Sequence, residues 1–264
     1  MRASAQVSRR RQFKQPRVAE MIAATMRDRI VSGEIEDGAL LPKQDDLLEE
    51  FRVSRPSIRE ALRILETEGL ITVRRGNMGG AVAHAPTARD AAYMFALALQ
   101  SRDTNFEDLA GALTLVEAAC AALCAGRKDR KSAVVKVLRS NIDKRRELLG
   151  EGLEFARLSR DFHDNLVASC GNKTMILVAG TLEALWSSQE ERCADATAAD
   201  ESHAQLRLRR STLADHKRIV DAIDAGNPDL AEKVTRRHLE EARPYLLEQR
   251  GNDRIAAGEL RLRS

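Results

Sequence analysis

The 264-residue chain is long enough for two hydrophobic cores, and its charged residues, 31% of the total, are nearly balanced at 43 Lys and Arg against 40 Asp and Glu. Aromatic residues make up only 3%, a composition that builds helices and argues against a sheet-dominated fold. Residues 1–85 hold 15 basic and 12 acidic side chains and residues 86–264 hold 28 of each, so the net charge of +3 lies in the first third, where a phosphate backbone would be met.

Charges are expected to interrupt every apolar window well before 18 residues, and the basic N-terminus leads into no signal-peptide core. The reading is cytoplasmic, with no membrane partner. Cys120, Cys124, Cys170 and Cys193 lack the close CxxC pairs of a zinc finger and read as thiols in a reducing cytosol.

Residues 1–16 carry Arg9, Arg10, Arg11 and Lys14 with few apolar residues, and read as a basic disordered arm or as an arm lying along DNA. A DNA-binding domain over 17–85 follows. Val18, Met21, Ile22, Met26 and Ile30 recur at helical steps until Gly33. Asp45 and Asp46 suit the start of a short second helix with Leu47, Leu48 and Phe51 inward, and Arg52 and Val53 make a turn. Ser54 is placed to cap a third helix, Pro56 fits its first turn, and Ile58, Ala61, Leu62 and Leu65 line one side until Gly69. Alternation at Ile71 and Val73, a glycine-rich turn and Ala81–Ala83 then predict a two-stranded wing. His84 and the residues to Thr87 read as a linker.

Residues 86–250 read as an all-helical effector-binding and dimerisation domain, with helices near 89–101, 106–126, 130–149, 153–170, 173–189, 206–225 and 228–249. Residues 190–205 are either a surface loop or a helix extension, and 251–264 a frayed tail. The fold class is therefore mainly α, a winged helix-turn-helix followed by an all-α bundle.

Arg55, Arg59 and Arg63 are four apart on the third helix and share the face opposite its apolar side. An arginine fork can read guanine O6 and N7 in the major groove, worth about 1–3 kcal/mol of discrimination. Arg55 and Arg59, with Ser54 and Ser57 at the helix start, are expected at the bases, and Arg63 on phosphate or paired with Glu60 or Glu66. A single recognition helix reads few base pairs, so a homodimer on a palindromic double-stranded operator is expected.

The run LLPKQDDLLEEFRVSRPSIREALRILETEGLITVRRGNMGG resembles the DNA-binding signature of the GntR family, FadR-like branch, over residues 17–84. The resemblance implies operator contacts at Arg55 and Arg59 and minor-groove contacts at Arg75 and Gly76. The family often has an arginine where this chain has Asp45, and Lys43 is expected to take over that contact.

In the second domain, His163, His216 and His238 fall on inward faces of three predicted helices, where imidazoles could surround one divalent ion such as zinc. The segments DFHDNLVASCGN and ADHKRIVDAIDAGNPDLAEKVTRRHL are similar to the FCD effector domain. That similarity implies a metal held by three histidines and by an aspartate four residues before the first, beside a small carboxylate effector. Ser159 stands at the aspartate's position, and Asp161 falls on the far side of the helix. The competing class, a metal-dependent enzyme built on the bundle, finds no HExxH, phosphate loop or nucleophile elbow to support it. His84 and His203 read as solvated linker and loop residues.

Overall fold

In a computed structural model the described residues are 18–74, 80–198, 203–242 and 251–259. The basic arm, the wing tip with Arg75 and Gly76, residues 243–250 and the last five residues lie outside them. Among the described residues there are ten α-helices and two strands, in two compact units divided after Pro86.

The first unit contains α1 (Val18–Val31), α2 (Gln44–Phe51), α3 (Arg55–Thr67), β1 (Ile71–Arg74) and β2 (Gly80–Ala83). The buried stripe of α1 is Ala19, Ile22, Ala23, Met26 and Ile30, whereas Val18 and Met21 face outward. Small alanines let α3 approach closely and present Ile58, Ala61, Leu62 and Leu65 to the same core. In α2 only Leu47 is fully buried, with Leu48 and Phe51 packed at its margin. Arg52 closes α2 in the left-handed region at φ 52° and so makes the tight turn into α3.

The antiparallel register pairs Ile71 with Ala83 and Arg74 with Gly80. The wing is wider than its two strands. Leu41 N–H donates to Ala81 O at 2.8 Å, and Ala83 N–H to Ala39 O at 2.8 Å, so the segment before α2 covers the outer edge of β2. His84, just after β2, packs beside this sheet rather than standing as a solvated linker residue: it is half-buried, with its Nε2 2.9 Å from Thr72 Oγ1.

The second unit is a bundle of α4 (Ala88–Gln100), α5 (Phe106–Gly126), α6 (Lys136–Glu147), α7 (Gly152–Ala168), α8 (Lys173–Ala198), α9 (His203–Asp224) and α10 (Pro228–Ala242), with a π-helical turn at Lys131–Val135 leading into α6. Thr87 opens it with a capping box: the Asp90 carboxylate accepts from the Thr87 N–H at 2.8 Å, and the Thr87 hydroxyl from the Asp90 N–H. α8 continues to Ala198 and α9 begins at His203, so residues 190–198 extend a helix and His203 starts one.

α5 corrects the expectation that charges break every apolar window. Its length and composition would suit a membrane span, but Leu109, Leu113, Ala118, Ala121 and Cys124 are buried in the bundle, where it is the central helix. Its C-terminal half packs in one cluster with Leu138, Phe162, Leu166, Ile219 and Ile223. Its N-terminal half shares a second cluster with Trp186, whose ring stacks on Phe106 at 4.4 Å, and with Ile255 and Ala257. Residues 251–259 are thus packed, not frayed: Phe106 N–H donates to Asp253 O at 2.9 Å and Ile255 N–H to Thr104 O at 3.1 Å.

The turn before α10 needs Gly226 for its backbone. Its φ is 69°, and a Cβ there would meet the Arg130 guanidinium, which donates to the Asp224 carbonyl at 3.3 Å.

Candidate functional site

On the first unit, α3 exposes Arg55, Arg59 and Arg63 on the face opposite its buried Ile58, Leu62 and Leu65. Arg55 is held by Asp45 at 2.8 Å across the turn, and Arg63 grips Glu60 through a fork at 3.0 and 3.1 Å. Both pairs are exposed and contribute little, so a phosphate can displace them. Arg59 makes no hydrogen bond or ion pair with the described residues and is free to meet a base edge. Ser54 is the N-cap by backbone geometry, but its hydroxyl makes no cap bond and lies 3.1 Å from the Ser57 hydroxyl; Pro56 has no N–H to offer, and the Ser57 and Ile58 N–H groups donate to the Ser54 carbonyl at 3.0 and 3.3 Å. Lys43 precedes α2 with its side chain exposed, its backbone N–H on Asp46 at 3.2 Å.

In the second unit, α7, α9 and α10 bring His163, His216 and His238 together, with ligand nitrogens all within 4.8 Å of one another. His216 is fully buried and stacks on Phe162 at 3.9 Å. Three charged residues that sequence reasoning missed complete the group. Glu117 on α5 accepts from His163 Nδ1 in a very short hydrogen bond; Asp215 Oδ2 lies 3.8 Å from His238 Nδ1; Arg145 on α6 donates from Nη1 to His216 Nδ1 at 2.5 Å.

Arg145 is fully buried, donates from Nη2 to Ser159 Oγ at 3.1 Å, and lies over the Phe155 ring at 4.3 Å. Its Nε has no hydrogen-bond partner among the described residues. Burial brings the guanidinium down to about 10, which still leaves it charged at neutral pH. His216 is pushed well below the ordinary imidazole range, first by burial, then by His163, His238 and Arg145.

These bonds set the tautomers. A guanidinium only donates, so His216 Nδ1 accepts and its Nε2 carries the hydrogen, donating to His238 Nε2 at 2.9 Å. His238 then presents Nδ1–H toward Asp215. A surface depression of about 990 Å³ bordered by Leu123, Arg127, Asn172 and Met175 contains none of these groups.

Residues 18–78 match the family described as bacterial regulatory proteins, gntR family, and residues 108–241, half of the chain, match the FCD domain. The chain belongs to the GntR family. As a GntR-family protein with an FCD domain it is a DNA-binding transcription regulator. The HTH-type transcriptional repressor NanR of Enterobacter sp. (strain 638) is 26% identical over 243 residues, covering 88% of this chain and 86% of that protein. The Exu regulon transcriptional regulator of Escherichia coli (strain K12) is 24% identical over 244 residues, covering 90% and 87%. A solved GntR structure from Streptococcus agalactiae superposes with a TM-score of 0.60 at 22% identity, covering 85% of this chain and 98% of that one, and shows the fold.

FCD domains often bind a metal, and the three imidazoles of this GntR-family chain meet the proximity a divalent ion needs. The donor set as placed does not fit one. Ligation through His216 Nε2 would move its hydrogen to Nδ1, against the Arg145 N–H. Where the family supplies an anionic ligand, this chain has Ser159 bonded to a cation. Asp161 is turned away, paired with Arg157 at 3.2 Å.

Proposed function

We propose that this chain is a cytoplasmic homodimeric regulator whose hold on a palindromic operator is controlled by a small organic acid bound in the helical domain. The observation that carries the reading is the convergence of His163, His216, His238 and the buried Arg145 from four helices of that domain. Ser159 belongs to the same effector site through its bond to Arg145. The operator face is formed by Lys43, Ser54, Arg55, Ser57, Arg59 and Arg63, with Arg75 and Gly76 of the wing tip as minor-groove contacts. The effector acts by binding one placement of the paired DNA-binding domains better than the other.

The test is a gel shift on the protein's own upstream region with a panel of carboxylates. Specific binding that one acid weakens or strengthens is expected, and Arg59→Ala is expected to lose it. Unchanged specific binding by Arg59→Ala would remove the recognition-helix assignment.

A second reading places a divalent ion such as zinc on the three histidines, favoured by the mutual proximity of their nitrogens. It requires Arg145 to withdraw from His216. Zinc-dependent thermal stabilisation of wild-type protein after chelator treatment would support it.

A further inference from the structure

We infer that Arg145 is the resident cation of the effector site and that the effector's carboxylate docks on the Nε–Nη2 edge of its guanidinium, beside Ser159, without a metal ion. The inference rests on reading the bundle as an effector domain, and adds which group recognises the ligand.

A fully buried guanidinium normally has a carboxylate to compensate it. Among the described residues Arg145 has none: its bonds go to a neutral imidazole and a hydroxyl, and its buried Nε–H has no hydrogen-bond partner. The same edge of other arginines in this chain grips carboxylates side-on. Arg27 holds Glu68 through Nε and Nη2, Arg63 holds Glu60, and Arg127 holds Asp129. Arg145 presents that fork preformed, with its plane held on Phe155 and its far nitrogen on His216. Ser159, accepting from Nη2, keeps its own hydroxyl hydrogen to donate to the incoming anion.

The neighbouring chemistry narrows the ligand. Asn141, one turn before Arg145 on α6, spends its amide N–H on Leu158 O at 2.9 Å and leaves Oδ1 buried without a partner. That acceptor calls for a donor, which a hydroxyl on the acid supplies, so a small hydroxy carboxylate fits better than a plain one. Thr235, one turn before His238 on α10, also carries a buried hydroxyl without a partner. The replacement of an aspartate by Ser159 follows the same logic: a carboxylate at 159 would occupy the edge that the ligand needs.

The test uses full-length protein in chelator-containing buffer, with thermal unfolding followed in acetate or glycolate against chloride at equal ionic strength. Wild type is expected to be stabilised by both acids, more by glycolate, and not by zinc added after the chelator is removed. Arg145→Gln is expected to lose the acid response and to gain zinc affinity roughly tenfold, because the Gln carbonyl can accept from a His216 Nδ1–H. Ser159→Asp is expected to melt higher and to ignore both acids, its own carboxylate filling the edge; it decides the matter if Arg145→Gln does not fold. Acid stabilisation that needs zinc, or that survives in either variant, or no acid stabilisation of wild type, would overturn the inference, and equal responses to the two acids would overturn the hydroxyl. A gel shift on the same preparations separates the failures: specific operator binding without any acid response sinks only the arginine site, whereas loss of specific DNA binding by wild type sinks the proposed regulator itself.

Discussion

Among the described residues no side chain holds Arg59 of the α3 arginine row, and Arg55 and Arg63 are each tied to a carboxylate. Arg59→Ala is therefore expected to cost about 1–3 kcal/mol of operator discrimination, read as specific against non-specific affinity by fluorescence anisotropy. Asp45→Asn releases Arg55 and removes a negative charge from the same surface; affinity for any duplex should rise, and the slope of log Kd against log salt should steepen by about one unit. In the bundle, His216 faces Arg145 from α6, His163 and Phe162 from α7 and His238 from α10. Its folded-state pKa is depressed, so its contribution to stability is complete above the ordinary imidazole pKa of about 6.5 and is lost as pH falls below it toward the folded value. The melting temperature in metal-free buffer should drop between about pH 7 and pH 5, and His216→Gln should flatten that drop. The arginine row and the three histidines were legible because spacing put them on defined helix faces. Arg145 was not, because it sits in the run Lys144–Glu147, which reads as a solvated charged patch.

Helix α5 shows how an element can be read correctly in extent and incompletely in role. Its bounds follow from periodicity, but the interruption expected from charges comes down to one residue: Glu117 is the one charge in the span 109–126, a signal that a partner waits inside the bundle. Its cysteines bear this out: Cys124 is buried, and burial pushes its thiol up to about 12, so folded protein should resist iodoacetamide there and react fully once unfolded. The C-terminal segment was the larger surprise. Gly251 and the polar residues after it suggest fraying, yet Ile255 is 2% exposed and packs in the cluster that contains Phe106 and Trp186. Ile255→Ala should lower stability by about 2–5 kcal/mol in chemical denaturation of the intact chain; a loss near zero would show that the segment does not hold α5. A short segment with one apolar anchor has no periodicity to reveal it.

Each of the two units has its own buried core, one around Leu65 and Met26 and the other around α5. An effector that changes operator affinity must obey reciprocity: operator DNA must change effector affinity by the same factor, typically 5- to 150-fold. Titrating glycolate by calorimetry with and without saturating operator duplex measures that factor, and equal affinities would show that the acid does not control DNA binding. The same comparison on Ser159→Asp should show no acid binding in either state.

From the chain alone came the order of elements, the winged helix-turn-helix, the arginine face and the three inward histidines, because each depends on local periodicity and spacing that the residues themselves encode. The tertiary structure decided which groups those side chains meet. Asp45 reaches Arg55 across a turn, His84 joins the wing, and the tail returns to the start of α5. Above all, the meeting of Arg145, from one helix, with His216 and Ser159, from two others, depends on helix packing that no spacing in the sequence records. That meeting turns a set of histidines suited to a metal into a site whose cation is already part of the protein.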